Sequence, residues 1–172
     1  ITVKTEHKAV LDVCTYLETK GADVTYLSVD KYGLIDLEEL KKAITAKTVL
    51  ISVMYANNET GVIQEIKEIG NIARKNNVFF MTDATQAIGK IPVDVVEDNI
   101  DMLTLSAHKL YGPKGVGAVY IKRQFPKIKI TPLLHGGGHE KGYRSGTLNV
   151  AGIVGLGKAS EIARKKLPEY EN

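Results

Sequence analysis

Three apolar runs, each followed by a polar cluster, constrain this chain more than any other feature. Val49-Leu50-Ile51-Ser52-Val53-Met54, Val78-Phe79-Phe80-Met81-Thr82 and Met102-Leu103-Thr104-Leu105 are short and do not alternate strictly between apolar and polar residues. Runs of that length and character predict strands inside a buried sheet. Helical spacing fills the intervals. Val10, Val13, Cys14 and Leu17 share one helical face, which Gly21 ends; Ile66, Ile69, Gly70 and Ala73 share another; residues 150–166 predict a last helix. Asp36 is placed to cap a helix over residues 37–43, with Glu38 and Glu39 favouring its dipole. Val24-Thr25-Tyr26-Leu27 and Ala118-Val119-Tyr120-Ile121 predict further strands. Such alternation predicts an α/β domain, a mostly parallel sheet with helices on both faces. Ligands of these sheets gather beyond the carboxyl ends of the strands. Asn58, Asp83 and Lys109 each follow an apolar strand, so they are expected on one rim.

The 172 residues are 44% hydrophobic, enough for one domain with a real core. A net charge of +3 gives little support to nucleic-acid binding. No apolar run is long enough to span a bilayer and no secretory signal is visible, so no membrane association is expected. The single cysteine, Cys14, rules out an intrachain disulfide framework and suits a reducing, cytoplasmic setting. It falls within a helical pattern, where it is expected to act as a small buried hydrophobe.

The chemistry concentrates after two of the strands. Ser106-Ala107-His108-Lys109-Leu110-Tyr111-Gly112-Pro113-Lys114-Gly115 places a lysine just past a buried strand, a position suited to imine chemistry where desolvation disfavours the ammonium. Ser106 and His108 flank it as anion donors. Asp83 ends another strand in Asp83-Ala84-Thr85-Gln86. An acid and an amine so placed suit opposite ends of one flat, charged cofactor. Pyridoxal 5′-phosphate fits, with its aldehyde on Lys109 and its pyridinium nitrogen on Asp83. Taken alone, Asp83 also suits a helix cap, Gln86 and Asn58 suit turn or cap amides, and His7 suits a polar cap at a helix start.

Three patterns are set aside. Gly152-Ile153-Val154-Gly155-Leu156-Gly157-Lys158-Ala159 nearly spells a phosphate-binding loop, but Ala159 stands where a hydroxyl would hold magnesium, and the apolar spacing suits a packed helix. Gly112-Pro113-Lys114-Gly115-Val116-Gly117 leads into a strand, unlike a dinucleotide fingerprint. His135 and His139 have helical ligand spacing, yet Gly136, Gly137 and Gly138 oppose a helix there and no third ligand is evident, so no metal site is expected.

Thr5-Glu6-His7-Lys8-Ala9, Asn57-Asn58-Glu59-Thr60-Gly61, Asp83-Ala84-Thr85-Gln86, the lysine motif, and His135-Gly136-Gly137-Gly138-His139-Glu140 through Arg144-Ser145-Gly146-Thr147 together resemble the class I cysteine desulfurases of the NifS and IscS type. These are fold-type I pyridoxal-phosphate enzymes of the class V aminotransferase family. The resemblance runs in order from Ile1 to about Lys166; its one departure within the lysine motif is Ala107, where close relatives often carry glycine. It implies that His7 stacks over the cofactor ring and acts catalytically beside the reacting carbon, as Lys109 does, that Gln86 and Asn58 bond the ring's edge or, for Asn58, the substrate, and that Ser106 and His108 hold the phosphate. It also implies that Thr147 reaches the phosphate of a neighbouring subunit, completing the site in a homodimer. The implied reaction takes sulfur from L-cysteine, leaves L-alanine, and passes a persulfide to a sulfur-acceptor protein serving iron–sulfur cluster or tRNA sulfur delivery. Family members are about twice this length, so residues 1–172 are expected to form the cofactor-binding large domain, without an N-terminal segment and a C-terminal small domain. The persulfide cysteine and the arginine for the substrate carboxylate are expected beyond Asn172, and the fragment alone is expected to be inactive. The alternatives are a selenocysteine lyase or other class V relative, and a truncated domain that only binds partners.

Overall fold

Residues 1–124 and 126–170 are described by a computed structural model in which the three apolar runs lie side by side. The strands are β1 (Thr2–Val3), β2 (Tyr26–Leu27), β3 (Leu50–Ser52), β4 (Phe79–Asp83), β5 (Met102–Ser106) and β6 (Gly117–Ile121). The helices are α1 (Lys8–Glu18), α2 (Leu37–Ala43), α3 (Ile66–Lys75) and α4 (Val150–Tyr170). The helix over residues 37–43 starts where its cap predicts: Oδ1 of Asp36 accepts the Glu38 N–H at 2.8 Å.

β3, β4 and β5 pair in parallel, with Ile51 opposite Phe80 and Thr82 opposite Leu103. β6 returns antiparallel along β5, because residues 107–116 are too short a link for a helical crossover. β1 and β2 pair in parallel and join the same layer through Ile1, whose nitrogen donates to the Leu50 carbonyl and whose carbonyl accepts the Ser52 N–H, each at 2.9 Å. The fold is therefore α/β with a mostly parallel sheet, as expected.

Burial across the sheet is uneven. Ile51, Phe80, Thr82 and Leu103 share the face that packs on Ile66, Ile69, Ile72 and Ala73 of α3, and all of them are buried. Phe79, Met81, Asp83, Met102, Thr104 and Ser106 share the other face and are only partly buried. The helices explain the asymmetry. α3 lies over β4, whereas α4 docks on the turn that follows β5, and α1 buries none of its residues. Cys14 on α1 is accordingly half-buried rather than buried as expected.

Candidate cofactor site

The rim of the sheet is built by the chain's own local rules. β4 ends at Asp83, and the register sets Asp83 opposite Thr104, on the same face as Ser106 at the end of β5. A single 3-10 turn, Ala107–Leu110, follows β5 at once. Residues three apart eclipse in a 3-10 helix, so Ala107 and Leu110 both turn inward, where they are buried, and His108 and Lys109 are left exposed. Tyr111 closes the turn at φ 61, while the Ala107 carbonyl accepts the Gly112 N–H at 2.9 Å. Gly112 allows the close approach of α4: a Cβ there would lie 3.0 Å from the Ala107 oxygen and 3.1 Å from the Ala159 Cβ. The turn carrying Lys109 is thus clamped from behind by α4.

His7, Asn58, Asp83, Gln86, Ser106, His108 and Lys109 all line one cleft of about 270 Å³. Seven of the eight side chains that sequence reasoning singled out therefore meet in one place. Thr147 does not line this cleft; it is exposed in the loop before α4. Ala9, Met54, Ala56 and Thr85 complete the walls.

Each polar group is committed in a definite way. His7 caps α1: its Nδ1 accepts the Ala9 N–H at 3.1 Å, so a neutral ring carries its proton on Nε2. Asp83 starts no helix; its Oδ1 accepts the Thr85 N–H at 2.9 Å and fixes the carboxylate plane. The turn-amide role falls to Asn57, which donates to the Thr5 carbonyl and accepts from Glu59 and Thr60, each at 2.9 Å; its exposed neighbour Asn58 faces the cleft. Gln86 Oε1 accepts from Lys90 Nζ at 2.6 Å. Ser106 precedes the 3-10 turn without capping it, which leaves Oγ for a ligand. Lys109 is exposed, not enclosed as its place just past a buried strand suggests.

Two groups escaped the sequence reading. Glu6 is 5% exposed, Oε1 accepts the Met54 N–H, and Oε2 is buried with no partner. Burial, with a smaller push from the Asp83 charge, raises its pKa to about 8. Lys90, beside Gln86, is pushed below the ordinary lysine value by burial and by the Lys109 charge. A second cavity of about 360 Å³ lies behind Lys109, lined by Lys90, Lys166 and apolar residues of α4.

The three glycine-rich stretches take the local backbone structure expected of them. Residues 152–159 lie inside α4, residues 112–117 lead into β6, and Gly136, Gly137 and Gly138 take φ values of 109, 81 and 64, which no helix holds. His139 Nδ1 instead accepts the Gly146 N–H at 3.3 Å.

An acid, an amine, two anion donors and a flat ring in one cleft fit pyridoxal 5′-phosphate by their donor chemistry. The comparisons agree. Cysteine desulfurase IscS of Neisseria meningitidis serogroup C / serotype 2a is 57% identical over 169 residues, which are 98% of this chain and 42% of that protein. The protein of the same name in Ehrlichia chaffeensis is 55% identical over 169 residues, 98% of this chain and 41% of that protein. A solved NifS-like protein superimposes with a TM-score of 0.93 at 48% identity, covering 98% of this chain and 46% of its own. A structure described as SspA in complex with cysteine gives 0.88 at 47% identity, covering 93% and 46%. The chain thus spans less than half the length of these relatives. Residues 1–169 match the aminotransferase class-V family, and the chain belongs to that family of pyridoxal 5′-phosphate enzymes.

Proposed function

We propose that residues 1–172 form the cofactor-binding domain of a pyridoxal-phosphate-dependent cysteine desulfurase, whose substrate is L-cysteine and whose products are L-alanine and a protein-bound persulfide. The observation that carries this reading is the convergence of seven polar side chains, from four separate stretches of chain, on one cleft at the ends of β3, β4 and β5. The relatives at 55–57% identity favour it over a selenocysteine lyase or a domain that only binds partners.

When bound, the cofactor supplies an aldehyde for amines and an electron-withdrawing ring. Asp83 holds the proton on the pyridine nitrogen, in a charge-assisted hydrogen bond roughly twice as strong as a neutral one. Lys109 Nζ would be the amine that holds the aldehyde carbon and the base placed for the substrate α-proton. Ser106 Oγ and His108 donate to the phosphate. Gln86 Nε2 would donate to the phenolic oxygen, with Asn58 at the same edge, and His7 would lie against the ring. Thr147, exposed and away from the cleft, serves the partner subunit of a homodimer. Cys14 is not the sulfur-carrying thiol: burial pushes its pKa up, and a nucleophilic thiol needs the opposite. No helix among the described residues is long and apolar enough to cross a membrane, and the proposed setting is the cytoplasm.

Borohydride reduction of the intact protein with its cofactor, followed by mass mapping, tests the site; the label belongs on Lys109 and nowhere else. Alanine release from cysteine, compared with selenocysteine and other amino acids, tests the substrate. A label elsewhere refutes the site, and preferential release from selenocysteine refutes the substrate.

A further inference from the structure

We propose that Glu6 is a positioning residue of the cofactor cleft: it ties the segment carrying His7 to the end of β3 and responds to the charge on Asp83. The inference rests on the cofactor reading above. Its geometry does not.

Met54 and His7 are both walls of the cleft, on different stretches of chain. Glu6 joins them, because it precedes His7 in sequence and its Oε1 accepts the Met54 N–H. The remaining oxygen, Oε2, is buried without a partner. A surface acid caught between α1 and the sheet would turn that oxygen to water, yet the residue is only 5% exposed. An unpartnered buried oxygen is costly as a carboxylate and tolerable as an acid, so folding favours the protonated form.

The charged and titratable groups that reach Glu6 come from each neighbouring stretch. Asp83 at the end of β4 opposes its ionisation. The Cys14 thiol on α1 interacts with it as well, and the Met54 N–H is the group that stabilises the ionised form. His7 follows it directly. Of these, Asp83 is the one whose charge the cofactor changes. A cationic ring nitrogen paired with Asp83 cancels the charge that Glu6 feels, so Glu6 becomes more acidic and gives up part of a proton. Cofactor binding and Glu6 ionisation are therefore linked.

The test uses the intact apoprotein and 4′-deoxypyridoxine 5′-phosphate, which carries the ring and phosphate but no aldehyde for Lys109. Titration calorimetry in buffers of different ionisation heat counts the protons released. Wild type should release roughly a few tenths of a proton more than E6Q near neutral pH, since Gln keeps the Met54 contact and removes the titration. E6A leaves the Met54 N–H without an acceptor and should weaken binding about tenfold. E6D, one methylene shorter, is the milder variant should E6A not fold. Equal proton release by wild type and E6Q, or wild-type affinity in the shortened variants, overturns the proposal. Borohydride labelling of Lys109 in the E6Q holoprotein separates the two failures: labelling without a proton difference sinks the role of Glu6 alone, and no labelling at Lys109 in either protein sinks the cofactor reading.

Discussion

Lys90 Nζ donates to Oε1 of Gln86 at 2.6 Å, across four residues of the turn that follows β4. An ammonium has no acceptor capacity, so the amide oxygen is committed to it and the amide nitrogen is the group left for a ligand. Gln86 therefore offers the cleft a donor, which suits a phenolic oxygen. K90M should release the amide and weaken pyridoxal-phosphate binding to the intact protein about threefold to tenfold, the range for one charged hydrogen bond acting through a neighbour. Spectrophotometric titration checks it; wild-type affinity in K90M means that something else orients the amide.

Glu6 gives stability a pH dependence opposite in sign to that of most carboxylates. Its pKa is raised from 4.5 to about 8 in the folded chain. Between those values the folded chain keeps a proton that the unfolded chain has lost. Stability from this group is thus fully present below about 4.5, falls as pH rises toward 8, and stays low beyond. The change with pH is on the order of a few kcal/mol, and E6Q, which stays neutral throughout, should abolish it. Urea unfolding of the intact wild type and E6Q, from about pH 5 to about pH 9, should converge at the acid end only if Glu6 is the source.

Local chemistry was legible in the sequence, and tertiary placement was not. The helix over residues 37–43 was readable because its cap and its acidic first turn lie within four residues of one another. Asn58, Asp83 and Lys109 were readable because the rule that ligands gather at strand ends converts position in sequence into position in space, Ser106 and His108 because they flank that lysine, and His7 and Gln86 through the family resemblance of their motifs. The direction of β6 was not expected, since its apolar pattern carries no sense of direction; only the short link from β5 does. The uneven burial of β4 was hidden because Phe79 and Met81 are as apolar as Phe80. Glu6 was invisible for the same reason in reverse: it stands between Thr5 and His7 in a polar stretch, and nothing local marks it as buried. The exposure of Lys109 depends on which face of one 3-10 turn packs inward, again a tertiary choice.

Asp101 holds the opposite end of the sheet. Its Oδ2 accepts the Phe80 N–H at 3.0 Å, its Oδ1 meets Lys122 Nζ at 3.1 Å, and its backbone bonds Phe80 and Lys122, each at 2.9 Å. One residue thereby joins the starts of β4 and β5 to the end of β6. The side chains of Asp101 and Lys122 are 16% and 26% exposed, so the pair is sheltered rather than a surface contact. D101A should cost about 1–3 kcal/mol by leaving the Phe80 donor unpaired. Cofactor affinity should not change, because Asp83 and Ser106 sit at the far ends of these strands. Denaturant unfolding and cofactor titration of the same variant check both halves.

Gly70 and Gly157 separate packing from helix propensity. Both lie within helices, α3 and α4, where alanine is intrinsically preferred by about 1 kcal/mol. A Cβ on Gly70 would lie 2.0 Å from the Asp98 carbonyl oxygen and 3.2 Å from the Asn99 Cβ, so α3 approaches that turn through the glycine itself. The obstacle is backbone and cannot rotate away. G70A should therefore destabilise by about 1–3 kcal/mol or more, against its own propensity, by forcing α3 off the turn. A Cβ on exposed Gly157 would meet nothing within 4 Å. G157A should stabilise, by up to about 1 kcal/mol. Melting temperatures of the two variants of the intact protein should move in opposite directions, and a shift of the same sign in both would mean that the contact between α3 and residues 98–99 is not held as described.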